Sequence, residues 1–168
     1  ENLWWSGLDL RDVMLTRKLV EGMHTKRKGI MLDTGHYMNT NFSLRTPEDA
    51  VAYLNALADT YEAEGMLHWF KGMHLQMSLG GEYAEQQKKD WKEHPLDFDA
   101  IPFYDLFSLA YANACNIDQH KPFIGRGVKE FVERMHPQYI TLEFENGDRE
   151  TIGKYLEMQS RELGWKKG

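Results

Sequence analysis

The sequence has little cysteine, no long apolar run and no excess of basic residues, and each scarcity excludes a class of protein. Its single cysteine, Cys115, excludes an internal disulfide framework and fits a reducing compartment, so we expect a cytoplasmic protein. No segment approaches the roughly 18 consecutive apolar residues of a membrane-spanning helix. The net charge of −6 disfavours a broad phosphate-binding surface, so nucleic acid is not an expected partner.

The chain opens without methionine. Glu1 leads directly into an apolar stretch at 1–5 that has the composition of a buried strand, and a natural terminus seldom begins inside a buried, paired element. We therefore expect the 168 residues to form a single domain, 1–168, that belongs to a longer protein.

Apolar patterns predict strands that alternate with helices. Short continuous apolar runs predict buried strands at 1–5, 29–33, 70–76 and 139–144. Helical spacing and capping signals such as Thr46-Pro47 predict helices at 10–23, 46–65, 102–114, 128–135 and 150–163. The polar segment 78–102 is predicted to be a long inserted loop, of the kind that serves as a lid, and its charged run 86–93 is interpreted as a solvated helix face. This order favours an α/β fold with a parallel sheet, either half of an eightfold barrel or a small open sheet.

Each predicted strand carries a side chain that can bind a metal ion. Asp33, His74 and Glu143 end three of the apolar runs, and Glu1 lies in the first. The carboxyl ends of parallel strands in a barrel open onto one face, so these groups are expected to converge. Carboxylate oxygen with imidazole nitrogen suits Mg²⁺, Mn²⁺, Zn²⁺ or Co²⁺. Taken singly, each has an ordinary alternative: Asp33 as a helix cap, His74 as a hydrogen-bonded core residue, and Glu143 on an exposed edge strand, with Glu145 as the ligand instead.

Two further clusters follow the predicted strands. His36 comes three residues after Asp33, across a glycine that permits a tight turn. Asp118 and His120 lie together on a segment predicted to be irregular, shortly before a Gly-Arg-Gly sequence that lets the backbone approach a ligand. Alone, Asp118 and His120 are more typical of a solvated loop.

Taken together and in this order, the motifs carry a resemblance to a known superfamily. They are Glu1-Asn-Leu-Trp-Trp, Leu32-Asp33-Thr-Gly-His36, Lys71-Gly-Met-His74-Leu, Asp118-Gln-His120 with Gly125-Arg-Gly127, and Ile140-Thr-Leu-Glu143. The chain resembles the carboxy-terminal half of the xylose isomerase-like superfamily, which joins sugar phosphate isomerases and epimerases with apurinic endonucleases of the endonuclease IV type (AP endonuclease family 2). The resemblance spans nearly the whole chain and implies about the last four βα units of a (β/α)8 TIM barrel, with the amino-terminal half missing.

The resemblance also implies roles for individual residues. Glu1, Asp33, His74 and Glu143 match the four ligands of a divalent metal ion. Glu1 and Glu143 match the pair of carboxylates that, in epimerases of this superfamily, exchange the proton next to a carbonyl.

Five other residues are expected to bind the substrate or additional metal ions, and three of them match positions of the superfamily. His36 matches a histidine that binds substrate in the isomerases and a further metal ion in the endonucleases. Asp118 and His120 match a pair that completes the zinc cluster of the endonucleases. Trp5 and Gln76 are expected to contact the substrate.

The implied function is a divalent-metal-dependent isomerase or epimerase acting on a small-molecule sugar or sugar phosphate. The alternatives are a zinc phosphodiesterase of the endonuclease IV type and a non-catalytic metal-binding half-barrel. Two departures from the endonuclease pattern count against DNA repair: Gln76-Met77-Ser78 replaces a polar Asn-Asp pair, and the stretch from His74 to Asp118 is longer. The arginine that many epimerases carry shortly after this histidine is also absent. A half-barrel exposes sheet edges, so we expect pairing with the missing half or with a second copy.

Overall fold

The computed structural model describes residues 1–4, 8–145 and 147–165 of the chain. Within these ranges the strands are β1 (Ile30–Asp33), β2 (Phe70–His74) and β3 (Tyr139–Thr141). The helices are α1 (Val13–Gly22), α2 (Thr34–Met38), α3 (Pro47–Ala63), α4 (Gly81–Glu93), α5 (Phe103–Ile117), α6 (Val128–Met135) and α7 (Arg149–Glu162), with a 3₁₀ turn at Leu67–Trp69.

The three strands form one parallel sheet in the order β1-β2-β3. Helices α2 and α3 lie between β1 and β2 in the chain, and α4, α5 and α6 lie between β2 and β3. Both connections are long enough to cross over and return, as parallel strands require. The predicted α/β class with a parallel sheet is confirmed. None of the helices in the described ranges has the length and apolar character needed to cross a membrane.

The strand predicted at 1–5 is not formed by the residues that the structure describes there. Residues 1–4 contain no strand, and Trp5 lies outside the described ranges. The side chain of Asn2 instead takes the position of a strand neighbour, because its Nδ2 donates to the carbonyl of Asp33 at 3.0 Å and its Oδ1 accepts from the Asp33 N–H at 2.7 Å. One amide side chain therefore satisfies both backbone groups of Asp33 without a ladder.

The register of β1 against β2 contains one irregularity. Ile30 pairs with Phe70, but the next residue of β1 pairs with Gly72, so one residue of β2 is passed over. Beyond that point the pairing is regular and brings Asp33 beside His74 at the carboxyl ends of the two strands. The irregularity has the form of a β-bulge, which re-aims the side chains that follow it.

Helix α3 packs against the sheet and supplies much of the core. Thr46 and Asp49 form a capping box at its start, in agreement with the predicted start of this helix. Leu54 and Tyr61 on its inner face are completely buried. The ring of Tyr61 meets the ring of Phe70 edge to face, with centroids 5.0 Å apart. The helix thereby buries the start of β2.

The segment 78–102, predicted to be a long loop, contains a helix over about half its length. Helix α4 forms because it is rich in Glu, Gln and Lys, which are strong helix formers, although its apolar pattern is weak. Ala84 is buried, and the Tyr83 hydroxyl donates to Oδ1 of Asn113 in α5 at 2.6 Å. Helices α4 and α5 with their connection are called the α4–α5 hairpin below.

Candidate metal centre

Asp33 lies at the centre of the polar cluster and is completely buried. It ends β1 and caps α2: its Oδ1 accepts from the His36 N–H at 2.8 Å and from Nε2 of Gln76 at 3.0 Å. Its other oxygen, Oδ2, is buried without a hydrogen-bond partner in the part of the chain that the structure describes. Burial raises the pKa of Asp33, and the charge of His36 offsets this only in part. One oxygen of this carboxylate is therefore fixed in place while the other is available.

His74 ends β2 and faces three carboxylates through one nitrogen. Its Nδ1 lies 3.0 Å from Oε2 of Glu143, 3.3 Å from Oε1 of Glu1 and 3.7 Å from Oδ2 of Asp33. None of these contacts has hydrogen-bond geometry, so this buried nitrogen is unsatisfied among the described residues. Several ligand-type atoms that crowd together without bonding one another are typical of a shell built around a cation.

Glu1 and Glu143 approach this cluster from segments outside the sheet ladder. Glu143 follows β3 by two residues, and both glutamate side chains are about two-fifths exposed, at 40% and 43%. One ligand atom from each of Glu1, Asp33 and His74 lies within 4.8 Å of the others. The structure thus brings together the four residues that the sequence nominates as metal ligands, Glu1, Asp33, His74 and Glu143.

His36 and Asp118 form an ion pair beside this cluster. Nε2 of His36 lies 2.9 Å from Oδ2 of Asp118, and its Nδ1 lies 2.9 Å from the carbonyl of Asn2. Burial acts to lower the pKa of His36, but the hydrogen bond to Asp118 and the charges of Asp33 and Asp118 raise it to about 9. Burial acts to raise the pKa of Asp118, but the hydrogen bond and charge of His36 hold it below its ordinary value. The pair is therefore charged at neutral pH.

His120 joins a second ligand group. One atom from each of Asp33, His120 and Glu143 lies within 4.8 Å of the others, so this group shares two carboxylates with the four-residue cluster. His120 is 8% exposed, adopts a positive φ of 46°, and its Nδ1 lies 3.7 Å from Oδ1 of Asp118. A non-glycine residue in the left-handed region is uncommon and tends to occur at functional positions.

Gln76 has a different position from the one expected of a substrate contact. It is completely buried, and its Nε2 donates to Oδ1 of Asp33 at 3.0 Å and to Oδ1 of Asp118 at 3.1 Å, while its Oε1 accepts from the Ser78 hydroxyl at 2.8 Å. Gln76 therefore bridges two carboxylates and positions them, and no surface of it is left for a substrate. Trp5, the other predicted substrate contact, lies outside the described residues.

Two positioning residues, Asn2 and Ser78, escaped the sequence-based prediction. Asn2 holds the backbone of Asp33 and the ring of His36. The Ser78 hydroxyl is within 3.0 Å of Oδ1 of Asp118 and accepts from the N–H of Gln119 at 2.7 Å. Asn2 follows Glu1 directly, and Ser78 lies two residues after Gln76, but nothing in the local pattern distinguishes either from an ordinary polar residue.

The charge of the cluster is strongly negative. Among the described residues, Glu1, Asp33, Glu143 and Asp118 form ion pairs only with histidines, and no lysine or arginine approaches them. Even with His36 protonated, the carboxylates outnumber the positive charge. Buried or partly buried carboxylates are costly unless a counter-charge is present, so the donor set and the two unsatisfied atoms, Asp33 Oδ2 and His74 Nδ1, fit a divalent cation.

Comparison with protein-family models, with curated proteins and with solved structures finds no significant match for this chain.

Proposed function

We propose that this chain contributes a divalent-metal centre to an isomerase or epimerase that acts on a sugar or sugar phosphate. The observation that carries the proposal is the convergence of Glu1, Asp33 and Glu143 on one nitrogen of His74, beside a carboxylate oxygen that has no other partner. Such a site holds a cation that a substrate can also reach, because part of its wall is exposed.

Four residues are proposed to hold the ion: Glu1, Asp33, His74 and Glu143. Three oxygen donors and one imidazole nitrogen suit Mn²⁺, Mg²⁺, Co²⁺ or Zn²⁺. When bound, such an ion polarises a carbonyl and binds neighbouring substrate oxygens. Asn2 and Gln76 already fix the orientation of Asp33, and second-shell hydrogen bonds of this kind are what orient metal ligands in proteins.

The exposure of the four side chains supports a division of roles. Asp33 is completely buried and the His74 side chain is 18% exposed, so both suit a holding role. Glu1 and Glu143 are each about two-fifths exposed and contact the same imidazole nitrogen, so either carboxylate can reach a small molecule that enters. A carboxylate on either side of a carbon next to a carbonyl can remove its proton and return one, which is general acid–base catalysis.

The open face of the sheet supports a larger barrel. Tyr139 of β3 is 70% exposed, and its partner residue Gly72 and the neighbouring Met31 line a groove at the amino ends of the strands. In parallel α/β proteins both faces of a sheet are covered, and β1 and β3 are both edge strands here. We propose that further βα units complete a (β/α)8 barrel of the xylose isomerase-like type around this site.

A second candidate function is a metal-dependent phosphodiesterase of the endonuclease IV type. The observation that favours it is the second ligand group, Asp33, His120 and Glu143, with the His36–Asp118 ion pair next to it. Two adjoining groups suit a site with more than one metal ion, which is common in phosphodiester hydrolysis. A non-catalytic metal-binding half-barrel is the third candidate, and it predicts metal binding without turnover.

Metal binding tests the common element of these proposals. We expect the protein to bind Mn²⁺ or Co²⁺ in calorimetric titrations, with ~10–100-fold weaker affinity or more in Asp33→Asn and His74→Gln. The matched controls are Asp99→Asn and His68→Gln, exposed residues away from the cluster. One ion per chain favours the isomerase, and two or three favour the hydrolase. If Asp33→Asn and His74→Gln both bind the metal ion as tightly as the wild type, the proposed metal centre is wrong.

Solvent exchange tests the chemistry. The metal-loaded protein, incubated in D₂O with a panel of ketoses and their phosphates, is expected to incorporate deuterium next to the carbonyl. Glu143→Gln should slow this by a factor of ~10²–10⁴, the usual contribution of a general acid–base group. If the metal-loaded protein incorporates no deuterium into any sugar of the panel but cleaves a phosphodiester, the second candidate function replaces the isomerase.

A further inference from the structure

Helix α5 is apolar on most of its surface, yet it is exposed. Its 15 residues include one charged residue, Asp105, and one buried residue, Asn113. Phe103, Tyr104 and Phe107 are 72%, 81% and 60% exposed. A helix that is apolar nearly all round is normally a buried helix, so this one is expected to be covered in the working protein.

The exposed rings of α5 form an ordered ladder. Phe103, Phe107 and Tyr111 are spaced by four residues, and neighbouring rings are stacked with centroids 6.4 Å apart in both steps. This spacing keeps the three rings on one face of the helix. We propose that this face is a homodimer interface, on which α5 of a second copy of the chain packs antiparallel, with Phe107 near the twofold axis.

The symmetry of the ladder favours a second copy as the occupant. A twofold contact uses the same patch on both subunits, so the patch must complement itself. With Phe107 against its own equivalent, Phe103 of one protomer lies opposite Tyr111 of the other, ring against ring. Helix-on-helix packing of this kind brings axes to about 8–10 Å, which aromatic side chains fill.

The distribution of charge favours the antiparallel arrangement. Asp97, Asp99 and Asp105 all lie at or before the amino end of α5, and the helix contains no lysine or arginine. In an antiparallel pair with Phe107 at the axis, the amino ends of the two helices are offset by about 12 Å along the helix axis, whereas a parallel pair would place them side by side. The same acidic end disfavours an anionic membrane surface as the occupant.

The exposed area is sufficient for a stable dimer. At about 200 Å² for each aromatic side chain, the exposed fractions of Phe103, Tyr104, Phe107 and Tyr111 amount to roughly 550 Å² per protomer. Two protomers would therefore bury roughly 1,100 Å² in total, which is above the roughly 1,000 Å² expected of a specific interface.

The interface adjoins the candidate metal centre. Helix α5 ends at Ile117, and the next residue is Asp118, whose N–H donates to the carbonyl of Ala114 and whose carboxylate pairs with His36. A partner that fixes α5 therefore also fixes the position from which Asp118 reaches the cluster. Dimerisation itself does not depend on the proposed activity.

Sedimentation or light-scattering mass measurements on the 168-residue protein test the proposal. We expect a concentration-dependent dimer and, in Phe107→Asp, a dissociation constant at least about 30-fold higher, the scale of an interface hot spot. The matched control is Met14→Asp, which adds the same charge at a 52% exposed position of α1 and should leave the dimer intact. Far-ultraviolet circular dichroism establishes that both variants are folded. A monomeric wild type would overturn the proposal. So would a dimer that is unaffected by Phe107→Asp, or one that Met14→Asp also dissociates.

Disulfide trapping tests the orientation. In a Cys115→Ser background, Phe107→Cys should form a covalent dimer under mild oxidation, because the two cysteines meet at the axis. Phe103→Cys should not, because the two copies lie about 12 Å apart along the helix axis in an antiparallel pair, which is beyond disulfide reach. Equal trapping at both positions, or trapping only at position 103, would contradict the antiparallel arrangement.

Discussion

Gly35 provides the sharpest test of how the candidate centre is held. It lies in α2 between Asp33 and His36, and a methyl group added there would overlap with the amide of Gln76. The amide group of a glutamine is the flexible end of its side chain and can usually move aside. Here it cannot do so freely, because Gln76 is fully buried and hydrogen-bonded to Asp33, Asp118 and Ser78. Gly35→Ala is therefore expected to break those bonds.

The expected loss in the free energy of unfolding follows from the bonds that are broken. Gln76 donates to two carboxylates, and a hydrogen bond to a charged group contributes about 1.5–3 kcal/mol. Two such bonds amount to about 3–6 kcal/mol, and replacing glycine by alanine within a helix returns about 0.5–1 kcal/mol, so we expect a net destabilisation of about 2–5.5 kcal/mol. That is a large share of the roughly 5–15 kcal/mol stability of a typical domain.

Urea unfolding in the presence of a chelator, followed by circular dichroism, measures this loss. The matched control is Gly153→Ala in α7, where an added methyl group meets nothing within 4 Å and should stabilise the protein by about 0.5–1 kcal/mol. A double-mutant cycle isolates the mechanism: in a Gln76→Ala background the overlap is gone, so Gly35→Ala should stabilise the protein by about 0.5–1 kcal/mol, as Gly153→Ala does. If Gly35→Ala costs the same in both backgrounds, or is as well tolerated as Gly153→Ala, the reasoning is refuted.

Two further predictions concern the scaffold. The hydroxyl of Tyr61 is buried and donates to the side chain of Thr16 at 2.8 Å, so Tyr61→Phe should lower the free energy of unfolding by about 1–2 kcal/mol. The same change at Tyr139, which is 70% exposed, should be neutral. Equal losses at the two tyrosines would contradict a stabilising role for the buried hydroxyl. Thr46→Ala removes the capping box of α3, so it should cost about 1 kcal/mol and lower the midpoint of thermal unfolding. Thr60→Ala on the same helix should be neutral or slightly stabilising. An equally large loss at Thr60 would show that the cap is not responsible.

Local patterns in the sequence predicted most of the elements in the described ranges. The spacing of apolar residues predicts α6 with the bounds that the structure has, Val128–Met135, and the Thr46-Pro47 signal gives the start of α3. Asp33 and His74, the polar residues that end two of the apolar runs, are the last residues of β1 and β2. These features are set by neighbours in sequence, through periodicity, capping and strand termination, so they can be read from the chain alone.

Helices that depend on distant contacts were missed or misassigned. Helix α2 is a single turn that begins directly after β1 and is started by the side chain of Asp33, so no apolar periodicity precedes it. Of helix α4, only the charged run 86–93 was interpreted as helical, within a predicted loop, because its apolar residues are too few to show a period. Its formation rests on residue propensity and on packing against α5, for example through Tyr83 and Asn113.

The candidate site was only partly predictable for the same reason. The meeting of Asp33 and His74 follows from topology, because parallel strands in adjacent positions bring their carboxyl ends together. The bonds from Asn2 to Asp33 and from Gln76 to Asp33 and Asp118 span 31 to 43 residues and join side chains to backbone or to one another. Such bonds leave no periodic trace, so Asn2 was overlooked and Gln76 was assigned to the substrate.

The residue passed over in the β1–β2 register, Lys71, has a consequence for what the chain can tolerate. In a strand without interruption, residues two and four positions apart share a face, so Phe70 and His74 would point the same way. Phe70 is instead buried against Tyr61 of α3 while His74 faces the carboxylates, an arrangement that the extra residue permits. Deleting Lys71 would force a choice between an aromatic ring lost from the interior and an imidazole turned away from its acidic neighbours. A single inserted residue thus lets one short strand contribute a ring to the hydrophobic core at its start and an imidazole to the candidate metal centre at its end.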